Sequence, residues 1–212
     1  MSPDALRLIV LTDRGLAGTR GVEAVVEAAL EAGAPAIQLR DKGSSVRDSL
    51  KLAHRLRALT AAHDALLFVN DRFDLALAAQ ADGVHLGPDD LPVEAVRGVA
   101  PPGFLVGFST DDPAVARAAE RGGADYIGCG TVFETSHKQD AGAVIGPEGI
   151  RRVVDAVGIP VVAIGGIGPE NVSRLRASGA AGVAVLGAVM AAPDPGTVTR
   201  RLLAAAGTLA RD

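Results

Sequence analysis

Two acidic corners stand a short distance apart in this chain. Asn70-Asp71 closes the apolar run LLFVN, and Asp89-Asp90 follows the run DGVHLG. Both runs have the length and branched or aromatic content of short strands. If the strands are parallel neighbours, their carboxyl ends lie side by side. Asp71 and Asp90 then face one hard cation such as Mg²⁺, which takes a few carboxylate oxygens plus substrate phosphate. Each residue also has a plainer use. Asn70 or Asp71 can cap the helix DRFDLALAAQ, and Asp89 or Asp90 can sit in a turn. Other polar residues fall at similar places. Gln38-x-Arg40-x-Lys42 puts three side chains on one side of a strand, provided the strand runs through them. Ser109 ends a further apolar run, and Thr135, His137 and Lys138 lie in the irregular stretch 131–146. The chain has three lysines, Lys42, Lys51 and Lys138, and two of them sit in these loops. Gly165-Gly166 and Gly187 follow two more strand-like runs, and their backbone amides suit a phosphate. The set describes two anion sites with a metal pair between them. Arg40, Lys42 and Lys138 suit a pyrophosphate, and the glycine loops suit a monophosphate.

Positioning these residues requires eight strand–helix units. Strands are expected at 6–12, 35–39, 66–70, 82–87, 104–108, 125–128, 160–164 and 182–186. Helical spacing or helix-start signals follow each of them. Ser44-Ser45 opens a long helix to about His63, Pro169 and Glu170 begin another, and a last helix starts near Asp194. Four joints look alike: EAGAPAIQL, AQADGVHLG, RGGADYIGCG and ASGAAGVAVLG. This echo suits a repeated unit. Strands and helices alternating at ~25-residue spacing imply a parallel sheet, and eight of them imply a closed (β/α)₈ TIM barrel. A doubly wound open sheet is the runner-up. The first turn, TDRGLAG, lacks the G-x-G-x-x-G spacing such a fold would use for a dinucleotide. In a barrel, the loops after the last two strands are a frequent phosphate site.

Composition narrows the classes further. The 212 residues carry no Trp and one Tyr, so a core must be built mainly from aliphatic residues. The expected organisation is one domain over 1–212. A net charge of −4 argues against a nucleic-acid surface. Cys129 is the single cysteine, which excludes an intramolecular disulfide and a cysteine metal cluster. The N-terminus has too short an apolar run for a signal peptide. The longest uncharged run, 177–193, falls short of the ~20 apolar residues of a spanning helix. A cytoplasmic protein is therefore expected, with small-molecule substrates, no nucleic acid and no membrane, and a homo-oligomer is allowed. Cys129 is expected to pack as a hydrophobe, His85 to be packed within its strand, and His54 and His63 to lie on a helix surface. His137 is the one histidine worth testing for catalysis.

The motifs QLRDK, FVNDRFDLAL, ADGVHLGPDDLP, ADYIGCGTVFETSHK and PVVAIGGI, in this order over about residues 8–190, resemble thiamine-phosphate synthases. The resemblance implies that an aminopyrimidine-methyl pyrophosphate is joined to a thiazole phosphate with release of pyrophosphate. It implies Mg²⁺ on Asp71 and Asp90, and a catalytic set of Arg40, Lys42, Ser109 and Lys138 around the pyrophosphate. Gln38 and Asn70 would contact the pyrimidine. Thr135, Gly166 and the backbone around Gly187 would bind the thiazole phosphate, and His137, Gly165 and Leu186 are further substrate-binding candidates. Thr131 and His137 depart from the synthase pattern. GTVFET looks nearer to the related thiazole tautomerase branch, a metal-independent isomerase on the same fold, although that branch has a histidine where this chain has Thr131. That is the alternative reading.

Overall fold

The structure is a computed structural model and describes residues 3–135, 143–207 and 209. Eight strands are formed: β1 Leu8–Leu11, β2 Ala36–Leu39, β3 Leu66–Asn70, β4 Gly83–Leu86, β5 Leu105–Ser109, β6 Tyr126–Cys129, β7 Val161–Ile164 and β8 Gly182–Val185. Each pairs in parallel with the next, and β8 returns to β1, so the sheet closes into a barrel in chain order. Strands buried on both faces read as continuous apolar runs, and most of these eight are buried at every position.

The helices form a ring outside the barrel. They are α1 Arg14–Ala17, α2 Val22–Glu31, α3 Val46–Ala62, α4 Phe73–Ala78, α5 Val93–Arg97, α6 Pro113–Arg121, α7 Gly146–Val154, α8 Gly187–Met190 and α9 Pro195–Ala206. Local chemistry starts several of them. The side chains of Ser45, Asp112 and Asp194 accept backbone N–H groups at the first turns of α3, α6 and α9. Such caps each contribute about 1 kcal/mol. Between β7 and β8 the chain makes a 3₁₀ helix over Val172–Ser178, where an α-helix from Pro169 was expected. The reason is local. Asn171 accepts the Gly168 N–H at 2.9 Å and donates to the Gly166 carbonyl at 2.8 Å, which holds 166–171 as a turn.

The main apolar cluster fills the layer between barrel and helices. A smaller cluster, including Ile9, Leu11, Phe68, Tyr126 and Val162, fills the barrel interior. The repeated joints of the sequence have a structural meaning at the amino ends of the strands. Asp82, before β4, accepts the Leu67 N–H at 2.7 Å and pairs with Arg57. Asp125, before β6, accepts the Val106 N–H at 2.7 Å and pairs with Arg97. One device, used twice, ties each strand's start to its neighbour's. Among the described residues no helix is long and apolar enough to cross a membrane.

Candidate active site

The carboxyl ends of the strands open into a cavity of about 1010 Å³. In this architecture that end carries the chemistry. Gln38, Arg40 and Lys42 enter it from β2 and its loop, and Asn70 and Asp71 from β3. Asp90 and Ser109 line it after β4 and at the end of β5, and Thr135 lines it beyond β6. Gly165, Gly166, Leu186 and Gly187 complete the wall opposite. His137 and Lys138 lie outside the described residues. β2 stops at Leu39, so Arg40 and Lys42 reach the cavity from a loop rather than by strand alternation.

That loop is braced from β1. The Thr12 hydroxyl donates to the Arg40 carbonyl at 3.1 Å and accepts the Arg40 N–H at 3.0 Å. The Arg40 guanidinium meets Asp13 at 3.3 Å. Asp41 points the other way and is clamped by Arg14 at 2.8 and 2.9 Å, with Ser44 and Ser49 donating to the same carboxylate. The Arg14 fork holds Asp41's carboxyl below the usual carboxylate range. A buried carboxylate so satisfied makes a rigid anchor. It leaves Lys42, at the next position, exposed at the cavity rim.

Asp71 and Asp90 do meet. Asp71 adopts a left-handed backbone conformation, φ 65°, and its N–H donates to the His85 carbonyl at 2.8 Å. The residue at the start of α4 is Arg72, without a side-chain cap bond, so the capping use of Asn70 or Asp71 does not occur. Asp90 closes its own turn, with Oδ2 accepting the Gly87 N–H at 2.6 Å. Its carboxylate also stands beside that of Asp71. Burial, followed by the charge and hydrogen bond of Asp90, pushes the Asp71 carboxyl up to about 6, against the opposing pull of Lys42 and Arg40. Two carboxylates held this close oppose each other's ionisation, and a divalent cation between them removes the conflict. The donor set fits a hard cation that completes its coordination with substrate oxygens and water. Among the described residues there is no cluster of three or more His, Cys, Asp or Glu that could hold a metal unaided.

Across the cavity, Gly165 and Gly166 have φ 103° and 65°. A side chain at Gly166 would place Cβ 2.5 Å from the carbonyl oxygens of Phe133 and Glu134, so the backbone can pass there only as glycine. The chain after β6 clings to this turn, with Val132 N–H on the Ile164 carbonyl and Phe133 N–H on that of Gly165, both at 3.0 Å. Thr131 is buried against Gly165 and does not line the cavity. α8 follows β8 at once, and N–H groups of a helix's first turn have no intrahelical acceptor. Those of Gly187 and Ala188 lie at the cavity wall. Cys129 is fully buried on the helix side of β6, and burial pushes its thiol up to about 12, as expected of a packing residue.

Several lining residues were not singled out as functional from the sequence, His85, Tyr126 and Arg201 among them. His85 is packed within β4 as expected, yet it is also a cavity residue. Its Nδ1 lies 2.9 Å from the Tyr126 hydroxyl and its Nε2 2.8 Å from Ser109 Oγ. Tyr126 is 1% exposed, and burial holds its phenol protonated. The available signal was the alternation of β4 and β6, which turns Gly83 and His85, and Tyr126 and Gly128, to the same side. Knowing that this side is the barrel interior requires the closed sheet. Arg201 of α9 also reaches the wall, near Pro193 and Val198.

A closed (β/α)₈ barrel with a carboxylate pair and cations on one side of its mouth and a glycine cradle on the other is an enzyme of the phosphate-handling barrel class. Comparison with known proteins makes this particular. The family model described as thiamine monophosphate synthase matches residues 8–189. A thiamine-phosphate synthase of Pyrococcus furiosus is 48% identical over 197 residues, covering 93% of each chain. A thiamine biosynthesis bifunctional protein of Symbiobacterium thermophilum is 51% identical over 179 residues, which is 84% of this chain; the match spans 37% of that longer protein. A solved thiamine phosphate pyrophosphorylase of Pyrococcus furiosus superposes with a TM-score of 0.88, at 43% identity and 98% coverage of both chains. The chain belongs to the thiamine monophosphate synthase family. The tautomerase alternative finds no support in these relatives.

Proposed function

We propose that this chain is a Mg²⁺-dependent thiamine-phosphate synthase, joining an aminopyrimidine-methyl pyrophosphate to a thiazole phosphate with release of pyrophosphate. The observation that carries the reading is one cavity whose two walls differ, each with groups that suit an anion. Asp71, Asp90, Arg40 and Lys42 stand on one wall, and the Gly165–Gly166 and Gly187 backbone on the other. A single phosphate ligand would need only one of them.

Arg40 and Lys42, with Lys138 expected beside them, bind the pyrophosphate as it leaves. Asp71 and Asp90 would hold Mg²⁺, whose part is to neutralise charge growing on the leaving pyrophosphate oxygens. Gln38 and Asn70 orient the pyrimidine so that its amino group feeds electrons to the methylene carbon. The C–O bond to pyrophosphate breaks, its electron pair leaves with pyrophosphate, and a stabilised carbocation remains. The thiazole nitrogen lone pair then forms the new C–N bond. No proton has to be abstracted, so the site needs charge stabilisation and alignment more than a nucleophile–base pair. The glycine loops grip the thiazole phosphate, with Thr135 and the Leu186 backbone placing the second ring in line, and His137 is expected to join them.

The test mixes purified protein with both substrates and Mg²⁺ and follows thiamine phosphate by thiochrome fluorescence, with an EDTA control. Metal-dependent product is expected. Absence of product from folded protein would overturn the proposal.

A further inference from the structure

The barrel interior holds a chain of polar side chains that runs between the two ends of the pyrimidine substrate's site. The Gln38 side chain stands close enough to the Tyr126 hydroxyl to pull its pKa down against burial. The Tyr126 hydroxyl meets His85 Nδ1, and His85 Nε2 meets Ser109 Oγ. Gln38, His85 and Tyr126 are all buried. The fold makes room for the chain deliberately. Gly107 lies between His85 and Tyr126 on β5, its register partners on either side. A Cβ there would fall 2.2 Å from the Tyr126 ring and 2.5 Å from His85 Nδ1. Burying polar groups costs free energy unless each is paired. Leucine or phenylalanine would fill the same space without that cost, so packing alone does not account for the chain.

Proton counting gives the chain a direction. Each hydroxyl has one proton to donate, and a neutral imidazole has one N–H. A pyrophosphate oxygen offers only lone pairs, so Ser109 contacts it favourably only by donating its own proton to it. Ser109 Oγ must then accept from His85, which puts the imidazole proton on Nε2. Nδ1 is left bare and accepts from the Tyr126 hydroxyl. The Tyr126 oxygen in turn accepts from the Gln38 amide nitrogen. This leaves the Gln38 carbonyl oxygen as the acceptor facing the pyrimidine. In the opposite order, Ser109 presents a lone pair to an anion and Gln38 presents an N–H to the ring.

We propose that His85 is a positioning residue that sets one proton order through the barrel, so that Ser109 donates to the leaving pyrophosphate while Gln38 accepts from the pyrimidine amino group. Both ends then favour the ionised transition state together. An amino group that gives electrons to the carbocation becomes a stronger donor, and the departing pyrophosphate becomes a stronger acceptor. The identities of the two ends, and with them the direction of the proton order, rest on the synthase reading; the contacts that transmit the order are read from the barrel interior.

The test has two arms. In protein labelled with ¹⁵N-histidine there are four histidines to resolve, and a His85→Asn variant assigns the signal of His85. On adding inorganic pyrophosphate and Mg²⁺, His85 is expected as the neutral Nε2–H tautomer. A Nδ1–H tautomer or an imidazolium would overturn the inference. This arm needs pyrophosphate bound, which a saturable shift of the His85 signal reports, but no turnover, so it is read separately from failure of the coupling reaction. The second arm is kinetic. Tyr126→Phe removes one oxygen and keeps the ring, and thermal unfolding checks that it folds. It is expected to lower kcat about ten- to hundredfold with KM for the thiazole phosphate unchanged, the size of a lost hydrogen bond to developing charge. In a Ser109→Ala background the same change is expected to cost less than threefold, because the order no longer reaches the leaving group. Equal losses in both backgrounds would mean that Tyr126 does not act through His85 on Ser109, and would overturn the inference.

Discussion

Replacing Asp71 by asparagine is expected to stabilise the metal-free protein and abolish its response to divalent cation. The carboxyl titrates near 6 where 3.8 is ordinary, first because it is buried and second because Asp90 stands beside it. The gap of about two pH units corresponds to ~3 kcal/mol at 1.36 kcal/mol per unit. Asp71 is only half-buried, and solvent screening leaves roughly 1–1.5 kcal/mol of that. The sign follows from the direction of the shift. The folded state holds the Asp71 proton more tightly than the unfolded chain, so the penalty is absent below about pH 4. It grows as pH rises through 6 and is complete above 7. Asparagine keeps the size, tolerates the left-handed backbone at this position, and carries no charge. In EDTA at pH 8 the variant is expected to melt about 2–5 °C above the parent, given ~2–4 °C per kcal/mol for a chain of this length. At pH 4.5 most of that advantage is expected to disappear. Adding Mg²⁺ is expected to raise the parent's Tm by mass action and leave the variant unmoved. Differential scanning calorimetry over this grid of pH and metal decides the matter. A variant no more stable than its parent at pH 8, or a gap independent of pH, would refute the carboxylate-pair argument.

Gly166→Ala forces a Cβ against two carbonyl oxygens at 2.5 Å in a left-handed conformation. A loss of about 2–4 kcal/mol in urea unfolding is expected, and a loss under 1 kcal/mol would contradict the close approach. Arg14→Ala frees Asp41 and the Lys42 loop. Asp41 is buried and keeps only Ser44 and Ser49 when Arg14 goes, so a stability loss of about 1–3 kcal/mol is expected, while KM for the pyrimidine pyrophosphate rises several-fold; an unchanged KM would show that the loop needs no brace. Cys129, its thiol pushed up to about 12, is expected to resist a thiol reagent at pH 8 in native protein and to react once urea unfolds the chain. Rapid labelling of native protein would place it elsewhere.

Much of this molecule is legible in one dimension, for a physical reason. Strand and helix periods are local, so eight alternating units could be read off and a closed barrel inferred from their number. In that architecture strand ends converge, so polar residues immediately after apolar runs sort into one site. That is how Gln38, Arg40, Asn70, Asp71, Asp90, Ser109 and the glycine turns come to line one cavity. The likeness of ADGVHLG and ADYIGCG also had a cause, the Asp82 and Asp125 device at the strand starts. Other properties depend on contacts between distant segments. Register sets Asn70 beside His85, His85 beside Gly107 and Gly107 beside Tyr126, and it is decided by three separate strand pairings. Sequence alternation alone made His85 a packing residue; closure of the sheet put its ring between Tyr126 and Ser109. Asp71 could have capped a helix by local rules, and it was the neighbouring strand that captured its N–H and turned its carboxylate toward Asp90. Local preference names the candidates for a site, and the pairing of distant strands decides which of them meet.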